Sequence, residues 1–329
     1  MSMTIDELKG RMKGIAVVQT TPFNKDGSLD LEGMRTNTRW LAEYSAGKDF
    51  ILIPLGSTGE FYAMTDDERK SVIEAVVEET AGRAVILAGA GAAGTRLGIE
   101  LCQHAQRAGA DGVQVVLPYY HIPQEEGMYS HYKTLAENVD PHFGIMVYNN
   151  PTVSGSWINP PLMKRLAKIP NIIAVKENTV DVFLFYAMSS VVDPEDAVIL
   201  TGSGEIAGTY FSVFGCPGFI SFIANFTPEI AHSVYKALQA NDFATAVDIC
   251  KTRVEPFDVF VGKLQEKYGP HTGTARTWGS VEGFMYLAAV KAAMDLVGLR
   301  GGEVRLPLIG LDNRDKAELK DVLREMGVL

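Results

Sequence analysis

Asn171-Ile172-Ile173-Ala174-Val175-Lys176-Glu177-Asn178-Thr179 is a short apolar run that ends in a lysine and turns polar at once. Its brevity, its β-branched residues and the preceding Pro170 predict a buried strand. Lys176 then sits where the strand leaves the core. Burial disfavours an ammonium ion and lowers a lysine pKa, which makes the amine a nucleophile toward carbonyl carbon. A lysine at the rim of a sheet can equally run its stem along apolar surface to reach water. The segment alone leaves both readings open.

Similar runs lie on both sides of it, at residues 14–19, 50–55, 84–89, 112–117, 143–148, 197–201 and 218–221. With 172–176 they make eight. Amphipathic helical patterns separate them, for example 66–80 and 95–108. Asp66, Asp67 and Glu68 place acids in a first helical turn, where the backbone dipole favours them. Gly82 and Gly109 stand where helices should end. Strands alternating with helices imply parallel pairing through right-handed crossovers. Eight such units predict a (β/α)8 TIM barrel; the strand number disfavours an open doubly wound sheet. Beyond residue 221 the pattern is helical: 228–240, 243–267 with Pro256 as a kink or break, 280–298, and 312–326 with Asp312 as N-cap. The expected organisation is a barrel core over 1–227, then the last barrel helix and a C-terminal helical extension over 228–329.

Composition narrows the class. The 329 residues are 47% hydrophobic and 21% charged, with a formal net charge of −10. A pI near 5.2 argues against a nucleic-acid or anionic-membrane surface. Cys102, Cys216 and Cys250 are widely spaced and odd in number, which fits neither a disulfide framework nor a zinc site. The opening Met1-Ser2-Met3-Thr4-Ile5-Asp6-Glu7 lacks a basic-then-apolar signal pattern, and no apolar stretch is long enough for a membrane span. The expectation is a cytoplasmic protein.

In a barrel the working end is the C-terminal end of the strands. The second run ends in Pro54-Leu55-Gly56-Ser57-Thr58-Gly59-Glu60, a turn whose amides and hydroxyls can bind a carboxylate or cap the following helix. The third ends in Gly89-Ala90-Gly91-Ala92-Ala93-Gly94, a match to the dinucleotide fingerprint. That fingerprint needs an acid at the end of the next strand, and here Asp111 precedes the strand, so a glycine-rich loop at the barrel mouth is the better reading. The fourth run brings Tyr119 and Tyr120, the fifth Tyr148-Asn149-Asn150-Pro151, the seventh Thr201-Gly202-Ser203-Gly204-Glu205, and the eighth Ile220-Ser221. A tyrosine on an inward strand is usually a core aromatic, but facing an amine nucleophile its hydroxyl can shuttle protons. The six histidines show no metal-ligand spacing. Neither a phosphate-binding G-x-x-x-x-G-K-[ST] loop nor a G-x-S-x-G elbow is present.

Gly56-Ser57-Thr58-Gly59-Glu60, Tyr148-Asn149-x-Pro151 and Lys176-Glu177, in that order, resemble the class I aldolase superfamily of dihydrodipicolinate synthase and N-acetylneuraminate lyase. The resemblance extends from Gly14 to about Val328. It implies that Lys176 forms a Schiff base with pyruvate or another 2-oxo acid, without an external cofactor. Tyr148 would move protons to and from the substrate oxygen. Ser57 and Thr58, with Gly59, would hold the carboxylate and relay protons to that tyrosine. Tyr120 would reach across a dimer interface into the neighbouring site, and the Ile220 carbonyl would line the pocket. Asn178, Gly202 and Glu205 complete the expected substrate-binding set. A homotetramer built as a dimer of dimers is the implied assembly.

Two departures bear on the substrate. Dihydrodipicolinate synthases carry an arginine shortly after the tyrosine motif to hold the carboxylate of the aldehyde, and this chain has Val153 there; Arg276 is a second arginine to consider. Sialic-acid lyases carry an acid just before the position of Glu205, where this chain has Gly204. The expected enzyme is therefore a catabolic lyase. It would cleave a 2-oxo acid by retro-aldol reaction, dehydrate a keto-deoxy sugar acid, or act as a hydratase–aldolase with Phe61, Tyr62, Phe222 and Phe226 around an aromatic substrate. The synthase reaction is the alternative within the class. A non-catalytic keto-acid-binding protein on the same scaffold is the alternative outside it.

Overall fold

The computed structural model describes residues 3–269 and 285–329. Eight parallel strands close in sequential order: β1 Gly14–Val18, β2 Phe50–Ile53, β3 Val85–Gly89, β4 Gly112–Val116, β5 Gly144–Asn149, β6 Ile172–Glu177, β7 Val198–Thr201 and β8 Gly218–Ser221. Almost every strand residue is buried, as expected of a parallel sheet wrapped by helices. Alternate side chains fill the lumen, among them Ala16, Val18, Ile51, Ile53, Val85, Leu87, Met146 and Leu200. Their neighbours Ile15, Val17, Phe50 and Leu52 face the helical layer.

The alternation breaks once. Ile145 pairs with Ile172, but Met146 pairs with Ala174, so β6 carries one extra residue. Ile173 and Ala174 both pack in the lumen, while Ile172 and Val175 join the outer core. A one-residue bulge moves every later side chain to the other face. The bulge therefore turns Lys176 inward; strict alternation from the outward Ile172 would have put it outside.

The helices over Asp66–Thr80 and Thr95–Ala108 have the bounds read from the sequence. Thr65 forms a capping box with Glu68. Gly109 ends its helix in the left-handed conformation, but the preceding cap is Ala81, one residue before Gly82. An unpredicted N-terminal helix, Ile5–Gly10, sends Leu8 into the lumen cluster, and Met12 just after it joins the same cluster.

The C-terminal extension has its own apolar core, in which Phe257, Phe260, Val290, Leu319 and Leu323 are buried. The break expected at Pro256 is a π-turn over Cys250–Val254 between the helices Phe243–Ile249 and Glu255–Tyr268. Proline has no N–H to give the preceding turn, and widening that turn accommodates the loss. Asp312 caps the last helix, Asn313–Glu325, by accepting from Asp315 N at 2.8 Å. The helix expected over 280–298 is described as Met285–Leu296; its expected start at Ser280, and Arg276, lie outside the described residues. No helix among the described residues is long and apolar enough to cross a membrane.

Candidate active site

Strand pairing places Tyr148 beside Lys176 at the C-terminal end of the barrel. The Lys176 amine lies 3.6 Å from the centre of the Tyr148 ring. Lys176 is 3% exposed. Burial lowers its pKa, and the Tyr148 hydroxyl partly opposes that shift. A desolvated amine on an aromatic face gains some cation–π stabilisation when charged and is a nucleophile when neutral. The Tyr148 hydroxyl accepts a hydrogen bond from the Asn150 amide at 2.7 Å. The Asn150 carbonyl oxygen accepts from Thr152 N at 3.0 Å and so caps the short helix Pro151–Ser154. One asparagine thus links the turn after β5 to the phenol. Sequence reasoning quoted Asn150 without assigning it a role; its signal was a capping residue directly before a proline.

The turn after β2 is backbone-strained at two places. Leu55 and Glu60 adopt φ of 61° and 55°, the left-handed region that non-glycine residues seldom occupy. Between them Ser57, Thr58 and Gly59 are buried in one 3-10 turn. At Gly56 a Cβ would stand 2.4 Å from Val18 Cγ1, so only glycine lets this turn approach β1. The Thr21 hydroxyl donates to Gly59 O at 2.8 Å. Glu60, which the sequence offered only as the end of the motif, is fully buried and paired with Lys291 of the Met285–Leu296 helix. Its other oxygen accepts from Arg305 N at 2.9 Å. A buried ion pair whose second oxygen is also hydrogen-bonded fixes the turn against the extension.

Thr58 and Tyr148, which the resemblance links by a proton relay, are not hydrogen-bonded to each other. The Thr58 hydroxyl instead meets the Tyr286 hydroxyl at 3.3 Å. Tyr286 was not singled out in the sequence, because nothing local ties it to a turn more than two hundred residues away. Its ring packs against Phe222, with centres 5.6 Å apart.

The β6 and β7 ends are laced together. Gly202 N donates to Glu177 O at 2.7 Å, and Ser203 Oγ to Thr179 O at 3.2 Å. A Cβ on Gly202 would lie 2.4 Å from Asn178 Oδ1, so the glycine makes room for Asn178. Glu177 points away from Lys176 and accepts from Asn149 Nδ2 at 2.7 Å and Trp157 Nε1 at 3.2 Å. Burial pushes its pKa up to about 7. Glu205 is also buried, accepts from the Ser221 hydroxyl at 2.5 Å, and is pushed up to about 7. It stands within β7–β8 packing, bonded to the protein itself. Ile220 packs in the lumen.

Tyr119 is half-buried against Phe61, whereas Tyr120 is 82% exposed and stacks edge-on with His121. Tyr120 therefore faces outward from its own barrel. Phe226 and Phe222 pack against Phe257 in the helical core, so Phe226 is a core residue of the extension. Arg69 donates to the carbonyls of Gly89 and Gly91, which clamps the glycine-rich loop to the protein. Val153 is partly buried against the outer core. Among the described residues no three His, Cys, Asp or Glu side chains gather as a metal site would require.

Comparison with known proteins agrees with this geometry. The model of the dihydrodipicolinate synthetase family matches residues 11–261. A 4-hydroxy-tetrahydrodipicolinate synthase of Cereibacter sphaeroides is 34% identical over 320 residues, covering 97% of this chain and 100% of the relative. A DapA-like lyase of Halobacterium salinarum, itself uncharacterized, is 33% identical over 319 residues, covering 97% of this chain and 95% of its own. Among solved structures, E. coli YagE, a prophage protein of the dihydrodipicolinic acid synthase family in complex with pyruvate, has a TM-score of 0.82 at 29% identity. That match covers 97% of this chain and 99% of YagE. The likeness in fold and sequence runs through the barrel and into the appendage, which makes this chain a member of the dihydrodipicolinate synthetase family and a class I lyase.

Proposed function

We propose that Lys176 attacks the keto carbon of a 2-oxo acid and, with loss of water, forms an imine. The protonated imine draws electrons from the adjacent carbon, so the next carbon–carbon bond breaks or forms through an enamine. The same enamine can expel a β-leaving group. The imine is itself the electron sink, so the chemistry calls for no cofactor. Tyr148 takes and returns the proton at the substrate oxygen, with Asn150 holding its hydroxyl, while Ser57, Thr58 and the Gly59 turn hold the carboxylate. The observation that carries the reading is the buried Lys176 amine lying on the Tyr148 ring.

The direction is catabolic: cleavage of a keto-deoxy sugar acid or hydratase–aldolase substrate, or its dehydration. Val153 supports this, since valine offers no clamp for a second carboxylate. A second reading, 4-hydroxy-tetrahydrodipicolinate synthesis, is favoured by relatives of that name at 31–34% identity. The enzyme works in the cytoplasm, where buried thiols such as Cys102, Cys216 and Cys250 stay reduced, and as a homotetramer, for which the exposed Tyr120 and Ile122 offer apolar contact.

Borohydride reduction in the presence of pyruvate, with mapping of the modified peptide, tests the covalent step. A stable adduct at Lys176 is expected, and its absence would overturn the imine. A panel of keto-acid substrates, read by pyruvate release, tests the direction. An adduct without any turnover, in cleavage or condensation, would point to a keto-acid-binding protein instead.

A further inference from the structure

The Met285–Leu296 helix touches the turn after β2 twice. Tyr286 meets the Thr58 hydroxyl at 3.3 Å, and Lys291 pairs with Glu60 two residues further along the same turn. The two contacts are independent: one reaches a candidate catalytic hydroxyl, the other fixes the strained Glu60 backbone beside it. Phe222 packs on the Tyr286 ring and stops it from swinging away. Lys291 is held in turn by Glu303 O at 2.6 Å, so the helix has a fixed register on the barrel. A hydroxyl has one proton and two lone pairs. If a phenol donates to the Thr58 oxygen, the threonine proton remains for the substrate.

We propose that Tyr286 is a positioning residue of the active site, donating to Thr58 so that the C-terminal extension completes the proton-handling group from within the same chain. The proposal rests on the imine reading above. Burial raises the Tyr286 pKa, which keeps it a phenol with a proton to donate.

The test uses pyruvate alone, so it needs no knowledge of the natural substrate. Imine and enamine formation exchanges the pyruvate methyl protons for deuterium in heavy water, which NMR follows. Tyr286→Phe should slow exchange at saturating pyruvate by roughly 10–100-fold, the scale of a misplaced proton-transfer group. Half-saturation by pyruvate should change by about twofold or less, because Thr58 still meets the carboxylate. Thr58→Val should slow exchange as well, and the double variant should be no slower than Thr58→Val alone. Borohydride trapping at Lys176 in each variant reports an intact site. Exchange by Tyr286→Phe within about twofold of wild type would overturn the proposal, as would losses that multiply in the double variant. Failure of wild type to trap pyruvate at Lys176 would instead overturn the imine reading. Should Tyr286→Phe not fold, difluorotyrosine at 286 keeps ring and hydroxyl while making the phenol more acidic. The alkaline limb of the exchange profile should then move to lower pH, and an unmoved limb would overturn the proposal.

Discussion

Lys176 and Tyr148 are register partners on adjacent strands, with the amine 3.6 Å from the ring centre. Strand pairing is a rigid way to hold two backbones side by side, since neither can shift without breaking the ladder. The five register pairs along β5 and β6 therefore fix the backbones that bring the Lys176 amine to the Tyr148 ring.

Lys176→Arg should abolish turnover and borohydride trapping while the fold survives. Arginine keeps the charge and most of the length but cannot form the imine. Pyruvate release and circular dichroism read the two outcomes. Retention of most of the rate would remove Lys176 from the chemistry.

Tyr148→Phe should lower turnover by roughly two to four orders of magnitude, with pyruvate binding weakened far less. Asn150 separates capping from orientation. Asn150→Ala should cost about 1 kcal/mol of stability by losing the cap, and slow turnover as well. Asn150→Asp keeps a capping oxygen but cannot donate to Tyr148, so thermal stability should return while the rate stays low. Recovery of both together would assign Asn150 a purely structural role.

Breaking the buried pair should be costly. Lys291→Met leaves Glu60 charged and buried, for an expected loss of about 3–5 kcal/mol in urea unfolding. The double variant Lys291→Met with Glu60→Met should recover a large part of that loss, because no charge is left stranded. A double variant no more stable than Lys291→Met alone would show that packing at this junction, and not the charge, sets its stability.

Two buried acids predict how stability depends on pH. Glu177 and Glu205 have folded pKa values raised from 4.5 to about 7. Between those limits the folded protein holds more protons than the unfolded chain, so stability falls as pH rises from about 4.5 to about 7. Each acid contributes a loss on the order of 2–3 kcal/mol at neutral pH. Glu205→Gln should flatten that slope and be the more stable protein at pH 8, as measured by denaturant unfolding across a pH series. An unchanged slope would mean that Glu205 is ionised in the folded state well below pH 7.

Condensation of pyruvate with aspartate semialdehyde should be slow relative to cleavage of the preferred substrate, by about four powers of ten where a charged group lacks its counterpart. The reason is Val153, on the helical turn that follows Tyr148. A side-by-side comparison of kcat/KM measures it. Equal efficiency on both would bring the synthase reaction forward.

The eight strands were legible in the sequence to within a residue or two, as were the helices Asp66–Thr80 and Thr95–Ala108. Such elements are written in local signals: β-branched runs, apolar periodicity, and caps such as Asp312. The meeting of Lys176 and Tyr148 at one end of the barrel was legible too, because barrel strands deliver their last residues there. What the tertiary structure decided depends on contacts between distant segments. The extra residue in β6 appears only when β6 is aligned with β5, and it alone turns Lys176 into the lumen. Tyr286 meets Thr58 across 228 positions of chain, and Lys291 meets Glu60 across 231. No local pattern encodes such pairs, because their energy arises only when burial has removed water from both partners at once.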